Sequence, residues 1–148
     1  MKPGFYGDLD VRWLTVSELK SRGLDPEKSC AVLLASFYYQ TEGGLLITVP
    51  VGYITDFASV PRIFWSIFPP FDPYYGAPAV IHDFGYSTQG TFLCGASFNR
   101  AAVDRLFLDA MVVQDTERWR RDVIYRAVRL FGGSTWSAKH TRAKDWLT

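Results

Sequence analysis

The chain has 148 residues, of which 48% are hydrophobic, with five Trp, eight Tyr, eleven Phe and a formal charge of +1. That length points to one domain, residues 1–148, able to form a core without disulfide or metal staples. The balanced charge excludes a global electrostatic case for nucleic acid or membrane, and the longest near-apolar run, "CAVLLASFYY" at 30–39, is too short to span a bilayer.

Residues 1–52 read as mainly β. The start, "MKPGFYGDLDVRW", has no continuous apolar core of the signal-peptide kind. "DVRWLTV" (10–16) alternates polar and apolar residues, and "SELKSRGLDPEKS" (17–29), with Gly23 and Pro26, suits a short helix or long loop. "CAVLLASFYYQ" (30–40) is apolar and aromatic, and "LLITVPVGYITDF" (45–57) is β-branched and interrupted by Pro50 and Gly52. Gly43-Gly44 between them predicts a hairpin turn. The cysteines, Cys30 and Cys94, lie too far apart for metal or redox spacing. Two thiols suit a reducing cytoplasm, so a soluble cytoplasmic protein is expected.

The second half turns helical. "SVPRIFWSIF" (59–68) has Ser59 as an N-cap and Pro61 in its first turn. A proline-rich connection (69–78) leads to "PAVIHDFGY", a short helix starting at Pro78, followed by a Gly/Ser/Thr-rich loop at 87–98. In "NRAAVDRLFLDAMVV" the residues Val103, Leu106, Phe107, Ala110 and Met111 share one helical face, and Asn99 can cap it. "TERWRRDVIYRAVRLFGG" is expected to turn Trp119, Val123, Ala127, Leu130 and Phe131 toward a core, with Arg118, Arg121 and Arg129 opposite and a left-handed stop at Gly132-Gly133. Residues 134–148 form a basic tail. From Glu117 onward eight Lys or Arg face three Asp or Glu, a solvated basic face or a surface for an anionic partner. The fold class is therefore α+β: an N-terminal antiparallel sheet followed by three to four packed helices.

The unusual polar residues sit in "GYITDFASVPR" (52–62) and "AVIHDFGY" (79–86). His82 and Asp83 are neighbours on a helix, Asp56 lies at a strand end, and Asp104 borders the apolar stripe of the next helix, partly exposed, with Arg100 four residues away as its simplest partner. A hard divalent cation takes carboxylates and tolerates imidazole, so Asp56, His82, Asp83 and Asp104 are a candidate metal set for magnesium or manganese. Only two histidines exist, His82 and His140, which argues against a three-histidine zinc centre. Without metal, His82 could act as general acid–base. The bland alternative makes His82 a satisfied core histidine bonded to Asp56 or Asp104, and Asp56 or Ser59 mere helix caps. No serine or thiol nucleophile motif and no phosphate-binding glycine loop is present.

The ordered set "TDFASVPR", "AVIHDFGY", "NRAAVDRLFLDAM" and "IYRAVRLFGG" resembles the phage-associated domain of unknown function 1353, from about Tyr53 to Gly133. Its pattern falls on Thr55, Asp56, Phe57, Ala58, Ser59 and Pro61, then His82, Asp83 and Tyr86, then Arg100, Asp104 and Phe107, then the "RLFG" helix end. The loop between Tyr86 and Asn99 is longer than the pattern, and the N-terminal strands carry no matching motif. The resemblance implies a phage setting, in the infected cell's cytoplasm or in the virion, and no settled activity. A pattern of Asp, Ser, His and Arg favours a site over packing.

The expected function is a phosphodiester hydrolase acting on a nucleotide or cyclic nucleotide. His82, Asp83, Asp56 and Asp104 would be catalytic, Arg62, Ser59, Arg100 and Tyr86 would bind a small anionic substrate, and a divalent metal is optional. A peptidoglycan-cleaving enzyme is one alternative. Another is a non-catalytic tail or assembly component, or a binder of a host molecule. Nucleic-acid binding through "RWRRDVIYRAVRL" ranks below these, no membrane partner is expected, and a homo-oligomer is compatible.

Overall fold

The computed structural model describes residues 2–27, 30–56, 76–92 and 95–138. The expected helix at 59–68, Ser59, Arg62, Cys94 and His140 lie outside these residues, as does most of the proline-rich connection.

Two three-stranded antiparallel sheets open the chain. One is ordered β1 (Gly4–Tyr6), β4 (Phe37–Gln40), β5 (Leu46–Val49); the other is β2 (Val11–Trp13), β3 (Ala31–Leu33), β6 (Ile54–Thr55). The run 30–40 is thus two strands, not one. It breaks at Leu34–Ser36, and its halves join different sheets. Likewise 45–57 divides after Val49, where Pro50 lacks the N–H that a continuous ladder needs. The expected hairpin is present: β4 and β5 pair with Tyr39 opposite Ile47, and the turn includes Gly44 at φ +88°. Along β4, Phe37 and Tyr39 point into the core and Tyr38 outward, the period-two alternation of a half-buried strand.

Between β2 and β3 runs α1 (Val16–Ser21), set by a reciprocal cap. Thr15 Oγ1 accepts from Glu18 N at 3.1 Å, and Glu18 Oε1 accepts from Thr15 N at 3.2 Å.

The helical half comprises α2 (Gly76–Ser87), α3 (Arg100–Val113), α4 (Arg118–Phe131) and the short α5 (Gly133–Ala138). The fold is α+β, as its sequence suggests. Helix α3 packs against both α2 and α4 and starts where Asn99 Oδ1 accepts from Ala102 N at 2.8 Å. Its approach to α2 is close because Gly85 has no side chain: a Cβ there would stand 2.6 Å from Val103 Cγ1. The buried stripe Val103, Leu106, Phe107, Ala110, Met111 is the one its spacing predicts. With Phe37, Tyr39, Ile47, Val49, Tyr53, Ile81 and Phe84 most of it forms one core shared by sheet and helices. Each such large side chain contributes about 1.5–3 kcal/mol by leaving water.

Helix α4 departs from expectation. Its fully buried residue is Ile124, while Trp119, Val123, Leu130 and Phe131 are exposed. The apolar arc is wider than the contact with α3, and the side of it that docks carries Ile124 and Val128. Nor does a left-handed glycine end the helix: Gly132 is right-handed (φ −78°, ψ −11°), and α5 follows at once. The tail therefore begins as a helix.

Candidate functional site

Helix α2 carries the polar residues of the "IHDFGYS" stretch, all of them buried: His82, Asp83, Tyr86 and Ser87. Consecutive helical residues point about 100° apart, and here that angle sends His82 and Asp83 into two separate networks.

His82 faces α3. Its ring lies between Tyr86 (centroids 4.2 Å apart) and Phe107 (4.7 Å), and Nε2 donates to Asp104 Oδ1 at 2.7 Å. Tyr86 OH donates to the same oxygen at 2.6 Å. The other oxygen, Asp104 Oδ2, accepts from Arg129 Nη1 of α4 at 2.6 Å and lies 3.6 Å from Arg100 Nη1. Asp104 is wholly buried rather than partly exposed as expected. Burial alone would raise its carboxyl, but hydrogen bonds from His82, Tyr86 and Arg129 outweigh that and hold it below the ordinary carboxylate value. Burial, with the bond to Asp104, pushes the Tyr86 phenol well above its ordinary value.

The expected partner Arg100 plays a lesser part toward Asp104 than Arg129 does. Its guanidinium is turned mainly to the end of α4, where Nη1 donates to Val128 O at 3.1 Å and Nη2 to Arg129 O at 3.2 Å. These carbonyls lie in the last turn of α4, where Val128 O also accepts from Gly132 N at 2.9 Å. Arg129, placed by the sequence on the solvent side, instead reaches inward. The signal that could have found it is its place in the "RLFG" element.

Asp83 faces β6. Its Oδ2 accepts from Tyr53 OH at 3.0 Å, Thr55 Oγ1 at 2.9 Å and Asp56 N at 3.1 Å. Tyr53 OH, its proton given to Asp83, accepts from Ser87 Oγ at 2.7 Å. This network binds the strand end of "YITD" to α2 and so fixes the chain where the sequence places Asp56. Tyr53 and Ser87 were not among the residues singled out from the sequence.

The structure thus brings His82, Asp104, Tyr86, Arg129 and Arg100 together, and places Asp83 with the backbone of Asp56 in a second cluster. Among the described residues no group of three or more His, Cys, Asp and Glu is gathered as metal ligands. The first cluster can orient an imidazole: with Nε2–H committed to a carboxylate, Nδ1 is the ring's basic nitrogen. Among the described residues no helix is long and apolar enough to cross a membrane.

A family model described as protein of unknown function (DUF1353) matches residues 31–128, and the chain belongs to that family. The match begins at β3, earlier than the motifs near Tyr53, and ends within α4. The uncharacterized protein y4jT of Sinorhizobium fredii is 33% identical over 103 residues, which cover 68% of this chain and 28% of that protein. The chain therefore matches little more than a quarter of that relative's length. No solved structure matches the chain significantly.

Proposed function

We propose that this family member is a small hydrolase in which His82, oriented by Asp104, is the general acid–base. One observation carries the reading: the 2.7 Å pair between His82 Nε2 and Asp104 Oδ1, whose other carboxylate oxygen is held by Arg129. A carboxylate fixed in this way sets the imidazole's tautomer and stabilises the imidazolium formed when the ring takes a proton.

The substrate class follows from charge. Two guanidiniums, of Arg100 and Arg129, stand within 3.6 Å of one carboxylate. The excess positive charge favours an anionic substrate, and a phosphodiester such as a nucleotide or cyclic nucleotide is our choice. Arg62 and Ser59 would help to bind it. A magnesium or manganese ion near Asp56 and Asp83 would activate water and remains part of the proposal. A phage setting, in the host cytoplasm or the virion, follows from the motif resemblance.

A second reading rests on a different observation. The side chains of His82 and Asp104 are only 3% and 0% exposed, as suits a polar clamp joining α2, α3 and α4 in a non-catalytic phage component. One experiment separates the two. Wild type, His82→Gln and Asp104→Asn are incubated with cyclic and linear phosphodiesters in magnesium, manganese or chelator, and each protein's fold is checked by circular dichroism. Turnover by wild type, lost in a folded His82→Gln protein, supports the hydrolase. No turnover by folded wild type with any substrate rejects it in favour of the clamp.

A further inference from the structure

The short helix α5 lies against the His82–Asp104 cluster. Its one large apolar side chain, Trp136, meets the Tyr86 ring edge-on, with centroids 5.1 Å apart. Tyr86 in turn packs on the His82 ring and donates to Asp104. Gln89 Nε2, just past the end of α2, donates to Trp136 O at 3.2 Å. The turn from α4 into α5 crosses the cluster at Gly132, where a Cβ would stand 2.5 Å from Tyr86 OH and 3.1 Å from Arg100 Nη1. The bare backbone of Gly132 thus closes down on the phenol and the guanidinium.

This closure is weakly built. Helix α5 has six residues, too few to hold without packing. Thr135 and Trp136 are half-buried, while Ser134 and Ser137 are exposed. Gly133, the first residue of α5, is exposed, and a Cβ there would meet nothing within 4 Å, so its backbone has room to turn. A segment held by so few buried contacts opens locally, at a free energy well below that of global unfolding. The site needs such an opening. The side chains of His82 and Asp104 are 3% and 0% exposed, and within the cluster only Arg100 and Arg129 reach solvent. We infer that α5 is a cover for the cluster, hinged at Gly132-Gly133 and latched by Trp136 on Tyr86, whose local opening admits water and an anionic ligand. The use made of that opening rests on the hydrolase reading; the opening itself does not.

The test uses the full chain without substrate. Hydroxyl-radical oxidation of Tyr86, located by mass spectrometry, reports its uncovering, and hydrogen exchange follows the amides of α5 and α3. In wild type the Trp136 amide, which donates to Gly132 O at 2.9 Å, should exchange by local opening at a rate insensitive to mild urea, whereas α3 exchanges with global unfolding. Trp136→Ala should raise Tyr86 oxidation about tenfold, the factor that an aromatic pair is worth, with the main melting transition retained. Gly133→Ala fits its open position and favours the helix, so Tyr86 oxidation and α5 exchange should both fall about two- to fivefold. The inference is overturned if α5 amides exchange only together with those of α3, or if Trp136→Ala leaves Tyr86 as protected as in wild type. It is also overturned if Gly133→Ala fails to slow both readouts, or if Trp136→Ala abolishes the main transition, which would make α5 part of the core. Phosphodiester assays keep the two readings apart. A chain that opens but cleaves nothing retains the cover and loses the hydrolase; one that cleaves while Tyr86 stays protected in Trp136→Ala retains the hydrolase and loses the cover.

Discussion

Replacing Asp104 by asparagine tests the central network most directly. The side chain keeps its shape, but one of its two oxygens becomes an NH2 donor. Whichever way the amide turns, that NH2 meets donors: His82 Nε2 and Tyr86 OH on one side, or Arg129 Nη1 on the other. Breaking a buried charge pair from one side costs about 3–5 kcal/mol. The side chains of Arg129 and Arg100 are 34% and 25% exposed and can turn partly to water, which places the expected loss near the lower bound, about 3 kcal/mol. A domain of this size has about 5–15 kcal/mol of stability, so the variant stays folded. Its melting temperature should fall by about 6–12 °C. Urea titrations at several pH values give a second check. The Asp104 carboxyl is depressed in the folded state, so its contribution is complete above the unfolded value of 3.8 and disappears as pH falls through the lower folded value. The gap between wild type and Asp104→Asn should therefore be open at pH 7 and close in strong acid, as pH falls through the lower folded value. A variant within about 0.5 kcal/mol of wild type at neutral pH, a change typical of surface substitutions, would refute the assignment of Asp104 as the point where three helices meet.

Other perturbations address separate parts of the molecule. Tyr53→Phe removes one of three donors to Asp83 Oδ2 and the acceptor of Ser87, so denaturant unfolding should show a loss of about 1–2 kcal/mol. Gly90→Ala should cost more than about 2 kcal/mol by the same measurement: Gly90 has φ +81°, and its Cβ would meet Phe98 O at 1.7 Å. Leu130→Ser alone should leave stability within about 0.5 kcal/mol of wild type, and a larger fall would place Leu130 in a core. In alkali, burial raises Tyr39 from 10 to about 12 and raises Tyr86 in the same direction. Stability contributed by these phenols is complete below pH 10 and falls as pH rises through the folded values. Phenolate absorbance should accordingly develop in two stages, the later one coinciding with unfolding.

Much of the local structure follows from the sequence alone. The Gly43-Gly44 turn, the Asn99 cap and the i, i+3, i+4 stripe of α3 are short-range features, decided by backbone freedom and side-chain spacing within a few residues. The cap of α1 is equally local, a Thr15-x-x-Glu18 pair closed within one turn. That His82, Asp83 and Asp104 are not ordinary surface residues could also be read from their apolar surroundings and motif order.

What the sequence left open was direction. The apolar runs 30–40 and 45–57 look continuous, yet each divides between two sheets, because strand pairing is a contest among distant segments. Helix α4 has an apolar arc too wide for one contact, and only the position of α3 determines that Ile124 and Val128 are covered while Leu130 and Phe131 are open. His82 and Asp83 are adjacent in the chain, but packing on both sides of α2 separates them, one to a carboxylate on α3 and the other to hydroxyls near β6. Arg129 is the sharpest case. By sequence it belongs to a basic, solvated face; in the fold it is the cation 2.6 Å from the buried Asp104, because a charge taken out of water must find its counter-charge wherever tertiary packing brings one.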